Sequence, residues 1–312
     1  MLKLFRHGLK DERGAINLVS AFALIVILGF SALVVDVGTF YIADIRLSNG
    51  VDAAALAGAQ DLVISAAEAR TTAMEYAAKN GLDSDNIDIY ISPDRASITV
   101  ESRKEAPILF GKILVDEKSL LLQKNATAMV GSIGAMSGVV PLGLVNRELV
   151  FGQKYIIKNA SSNNYDVGLG AGNFGALALG EGRGASNFER HLTEGYPGVI
   201  SVGDILDTEP GNMSNPTKRA IDKRIARALS TSYIDVPRGC PRVVIVPMLE
   251  PYDNKSGRRK VQVVGFSAFW LDGVTGQGNN SYIRGYFLER VENGEISPEA
   301  IDYGVKAVKL KH

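Results

Sequence analysis

Between Arg13 and Asp36 the chain runs 22 residues without a charge, GAINLVSAFALIVILGFSALVV. A helix of that length spans roughly 33 Å at 1.5 Å per residue, against a hydrocarbon core of about 30 Å. Backbone groups in lipid must pair within their own segment, so the run predicts one membrane-crossing helix over residues 14–35. A secretory signal is the rival reading, but its apolar region normally covers about 7–15 residues and ends at a small-residue cleavage site. This run is longer and continues in helical pattern beyond Asp36, so an uncleaved anchor is expected. Lys3, Arg6, Lys10 and Arg13 precede it, whereas Arg46 is the one basic residue in the next twenty. The positive-inside rule therefore places residues 1–13 as a cytoplasmic tail, with residues 36–312 outside.

The charges are sorted by segment. The 312 residues carry 34 basic and 34 acidic side chains, a net charge of zero. Residues 14–135 hold nine basic and fourteen acidic groups, and residues 136–312 hold 21 and 18. A neutral total argues against a nucleic-acid binder. One cysteine, Cys240, excludes an internal disulfide framework, and a buried inert thiol is expected there. Three histidines leave little material for a metal centre.

Beyond the apolar run, eleven alanines fall between Val51 and Asn80, which favours helix. Leu47, Val51, Ala54, Ala55 and Gly58 form one stripe of mostly small residues, a surface that permits close approach of another element. Gly38, Asn49 and Gly50 are points where this helix would break or bend. Glu75 and Lys79 stand four apart in the favourable order, and Asn80-Gly81 is a helix stop.

These residues resemble the N-terminal module of the Tad (Flp-type, tight-adherence) pilus assembly proteins. The resemblance rests on Arg13-Gly14, Val35-Asp36-Val37-Gly38, Tyr41, Arg46-Leu47, Asn49 and the run Asp52 to Ala59, in that order around the apolar segment. It implies a single-pass, non-catalytic membrane component whose partners are the bilayer through residues 14–35 and other pilus assembly or pilin-like subunits. Processed pilins carry a glutamate about five residues after a glycine cleavage point. Counting from Gly14 gives Val19, and counting from Gly8 gives Glu12 then Arg13. The larger, unprocessed members are the better match.

The fold class expected is α+β. Residues 36–130 would form a pilin-type helix and a small layer, with strands at Ile87–Ile91, Ser97–Glu101 and Leu120–Val130 and a short helix over Pro107–Leu114. Residues 131–138, GSIGAMSG, read as a linker. Residues 139–312 form a β-rich barrel- or sandwich-like domain, with strands near 149–158, 174–179, 199–202, 242–247, 261–270, 282–291 and 303–310 and turns at 253–257 and 276–280. Its one signposted helix has Asn215 as cap, Pro216 at the first position and an apolar stripe of Ile221, Ile225 and Leu229, running to Ser230. Lys218, Arg219, Lys223, Arg224 and Arg227 on that helix would offer an anionic surface a contact, although a solvated helix face is the commoner use of such residues. Arg258-Arg259-Lys260 would extend the patch.

No catalytic, cofactor-binding or metal site is assigned. Gly170 to Gly175 matches G-x-G-x-x-G but lacks the strand-to-helix setting a dinucleotide fold requires. Asp204, Asp207, Glu209 and Asn212 could present oxygens to calcium, but not at EF-hand spacing, and turn chemistry explains them. Cys240 and His191 could be paired as nucleophile and base, without a local signature. Two alternatives to the pilus reading are an anchored module that binds envelope or host glycans and an anchored extracytoplasmic enzyme.

Overall fold

A computed structural model describes residues 12–113, 115–159, 175–180, 184–209, 213–252, 260–276 and 281–311. The class is α+β, as expected: a long N-terminal helix, a short second helix, then a strand-rich body whose sheet is nearly closed and barrel-like. Helix α1 spans Glu12–Asp61, 50 residues without a break. Gly38, Asn49 and Gly50 do not interrupt it. Gly50 allows a close crossing, since a Cβ there would lie 2.7 Å from Leu82 Cδ2.

Helix α2 (Ala66–Lys79) begins where the Ser65 side chain accepts the Glu68 N–H at 3.1 Å. Glu75 and Lys79 pair at 2.6 Å, and Asn80 followed by left-handed Gly81 ends the helix. α2 folds back on the small-residue stripe of α1. Leu47, Val51, Ala54 and Ala55 are all buried, and with Ala69, Ala73 and Ala77 they form one core with Ile98, Val100 and Ala128 of the sheet beneath.

That sheet contains β1 (Ile87–Ile91), β2 (Ser97–Pro107) and β3 (Ser119–Met136), paired antiparallel. It continues through β14 (Val305–Lys311), antiparallel to β3, to β12 (Arg290–Val291), which runs parallel to β14. The far end of β3 also pairs β7 (Ile200–Ser201) and β13 (Glu295–Ile296). The second sheet has the order β4 (Leu144–Val145), β9 (Val243–Pro251), β10 (Lys260–Thr275), β11 (Tyr282–Leu288), β5 (Lys154–Asn159). Strands β6 (Leu177–Ala178) and β8 (Ile205–Thr208) join it along β10. Helices α3 (Ala185–Glu194) and α4 (Ser214–Arg227) cover one face, with Phe188, Leu192, Ala220 and Ile221 in its core. Register shifts in β10 at Val263/Gly265 and Leu271/Gly273 are bulges of the kind that curve a sheet.

Four expectations need correction. The linker over 131–138 is β3 as far as Met136. Gly131 and Gly134 are there for close approach: a Cβ would fall 2.4 Å from Ile296 Cγ2 at the first and 2.3 Å from Ser297 Cβ at the second. The helix over Pro107–Leu114 is instead the end of β2, where Pro107 faces Ser119, followed by a single 3-10 turn at Gly111–Ile113. Helix α4 is capped by Met213 in a left-handed conformation, with Thr217 Oγ1 donating to its carbonyl at 2.6 Å, so Asn215 and Pro216 lie inside the first turn. The same helix stops at Arg227, because Ala228 is extended, and Leu229 is 99% exposed. The turns expected at 253–257 and 277–280 lie outside the described residues.

Candidate functional site

The most informative constellation is built on α1, whose two halves live in different surroundings. From Ile16 to Val35 its large apolar side chains are exposed on every face, including Phe22, Ile25, Leu28 and Leu33. By length and composition it is the one helix among the described residues that would cross a membrane. The second half is one-sided and buries its small residues against α2 and the sheet.

Asp36 marks the change. It is the first charge after the apolar run, yet its side chain is only 4% exposed. Its Oδ1 accepts the Leu109 N–H at 2.9 Å and the Phe110 N–H at 3.1 Å, and its Oδ2 accepts the Gly111 N–H at 2.6 Å. Burial raises the carboxyl's proton affinity, but the N–H donors of Gly111, Phe110 and Leu109, with Lys112 nearby, outweigh it and hold the pKa below its ordinary value. The carboxylate is therefore charged and tightly held. Gly111 suits this cradle, because a Cβ there would approach Asp36 Oδ2 to 3.1 Å. A second tie lies two turns along the helix, where Lys124 Nζ meets Asp44 Oδ1 at 3.0 Å. Between them, these contacts strap the β2–β3 hairpin along α1.

The residues singled out on α4 serve the fold. Arg219 and Lys223 both bind Glu189 of α3, at 2.6 and 2.9 Å, and Arg227 binds Glu194 at 2.9 Å. Lys218 pairs with Asp222 at 2.7 Å. Arg224 is buried; its Nε donates to the Leu192 carbonyl at 2.6 Å and its Nη1 to the Pro241 carbonyl at 2.9 Å. Burial pushes its pKa down to about 10, which leaves it charged at neutral pH. Arg219, Lys223, Arg224 and Arg227 thus clamp α3 to α4. Arg258 and Arg259 lie outside the described residues.

The other candidates resolve similarly. Asp204 accepts the Ser201 N–H at 2.8 Å, and Glu209 accepts the Gly184 N–H at 3.0 Å. Asp207 stands opposite Lys260 in the β8–β10 register. Asn212 and residues 170–174 lie outside the described residues, while Gly175 adopts the left-handed conformation of a turn. Among the described residues no three His, Cys, Asp or Glu side chains converge as a metal site would require. Cys240 is a buried free thiol. His191 is buried edge-on against Tyr196, and burial, with Arg190 beside it, lowers its pKa. Arg224 bridges the backbones next to these two residues, at Leu192 and Pro241, and its donors are taken by carbonyls.

Sequence reading missed the Asp36 cradle and the Lys124–Asp44 tie. The available signal was the pairing of the first charge after an apolar run with a distant Leu-Phe-Gly turn, which no spacing rule connects.

Residues 14–61 match the model of the family described as Putative Flp pilus-assembly TadE/G-like. The match ends where α1 ends, so the matched segment is a single helix, half apolar and exposed, half packed into a folded layer. No significant match was found among curated proteins or solved structures.

Proposed function

We propose that the chain is a single-pass, membrane-anchored component of a Tad/Flp-type pilus assembly system, acting as a pilin-like or accessory subunit without catalysis. The observation that carries this reading is the coincidence of the family match at 14–61 with one continuous helix whose stretch from Ile16 to Val35 is exposed among the described residues. A lipid-filled environment is the physical setting in which such a helix is stable. The basic residues before it favour an N-terminus in the cytoplasm, which puts the strand-rich body outside.

The mechanism is mechanical. The exposed half of α1 is held in the bilayer or packs laterally against similar helices of other subunits, and the tied second half passes that position to the body. Deleting the gene from a piliated strain should abolish surface filaments seen by electron microscopy, and filaments of normal number and length would refute the reading.

A further inference from the structure

We propose that the tip of the β2–β3 hairpin is a second membrane contact, seated in the leaflet on the side of the folded body. This rests on the reading of residues 14–35 as a membrane span. Two ties to α1 fix the direction of the hairpin. Asp44 is tied to Lys124 and Asp36 to Leu109–Gly111. Along α1, going from Asp44 to Asp36 descends roughly 12 Å toward the bilayer at 1.5 Å per residue. Along β3, going from Lys124 to Ser119 covers roughly 17 Å at about 3.4 Å per residue. The hairpin therefore runs toward the membrane, and its turn arrives where the uncharged segment ends.

The turn carries the chemistry that such a place selects. Leu109 is 42% exposed, Phe110 47%, Ile113 82% and Val115 46%. These are large apolar side chains in a loop, the kind of cluster that marks an interaction surface. Lys112 and Lys118 stand exposed among them, balanced by exposed Asp116 and Glu117, so the apolar side chains rather than net charge carry the contact. The apolar surface is continuous with α1, where Val34, Val35 and Val37 are also exposed. Asp36, which would be costly beside lipid, is neutralised in its hydrogen bonding by the same loop. One carboxylate thus docks the loop and hides the charge that would repel the bilayer from it.

The test uses the full chain, with Cys240→Ser to remove the native thiol and Ile113→Cys to carry an environment-sensitive fluorophore. It is reconstituted in nanodiscs of phosphatidylcholine and phosphatidylglycerol containing a lipid with a nitroxide near the top of its acyl chain. A residue seated about 5–10 Å into the headgroup boundary should lose emission about two-fold to that quencher. Leu24→Cys within the span and Ile234→Cys, exposed on the distant body, are the positive and negative references. Quenching at 113 and 24 but not at 234 supports the proposal. Quenching at 24 alone overturns it, leaves the anchor standing and makes the loop a surface for another protein. Quenching at neither 113 nor 24 overturns the anchor and this inference together.

Discussion

Gly58 is a point of close approach between α1 and α2, and it offers a sharp perturbation. A Cβ there would lie 2.8 Å from the Ala69 carbonyl oxygen, 2.8 Å from Ala73 Cβ and 2.8 Å from Ile98 Cδ1. The first two cannot rotate away, and Ile98 is fully buried. Gly58→Leu would add four carbons to a space that does not admit one. Overpacking typically costs about 1–3 kcal/mol, and this crowding belongs at about 3. Replacing a helical glycine returns about 0.8 kcal/mol through helix propensity. The net loss is then about 2 kcal/mol, equivalent to roughly 30-fold. Amide hydrogen exchange of the full chain in detergent reads this directly, as a roughly 30-fold loss of protection over residues 51–79. Gly38→Leu is the matched control, because nothing lies within 4 Å of its added Cβ. It gains the propensity and meets no clash, so protection should hold or rise. Wild-type protection in Gly58→Leu would refute the claim that this stripe sets the helix spacing.

Two further outcomes concern the α3–α4 clamp. Arg224→Met should strand the carbonyls of Leu192 and Pro241 and cost about 2–4 kcal/mol, lowering Tm by roughly 5–15 °C in calorimetry, with Arg224→Lys intermediate. Hydrogen bonds from Arg219 and then Lys223 hold the Glu189 carboxyl down to about 2, from an ordinary 4.5. A depressed carboxylate pKa contributes stability that is full above the unfolded value and is lost as pH falls through the folded one. Tm should therefore drop between about pH 4.5 and about 2, and Glu189→Gln should flatten that part of the profile.

Elements with strong local signals were legible in the sequence. The apolar run, the alanine-rich stripe and the Asn80-Gly81 stop specify α1 and α2 by composition and periodicity alone. Alternation located β1, the first half of β2, the start of β10 and most of β14. The failures share one cause, which is that long-range contacts overrode local cues. Gly131 and Gly134 look like linker residues until Ile296 and Ser297 cross over them. Pro107 looks like a helix start until Asp36, more than seventy residues earlier, takes the amides of the following turn.

The pairing of β14 with β3 bears on the order in which the molecule is finished. Val308 and Leu310 pack against the core under α1 and α2, and residues 306–311 fill the open edge of β3. The layer under α1 and α2 is made early but lacks this strand until more than three hundred residues have been synthesised. Pairings of such sequence separation form slowly, because the intervening loop must close first. Until β14 arrives the strand edge at residues 127–132 stays open, a template for any other extended chain. A newly made chain therefore needs that edge shielded until its last strand is in place.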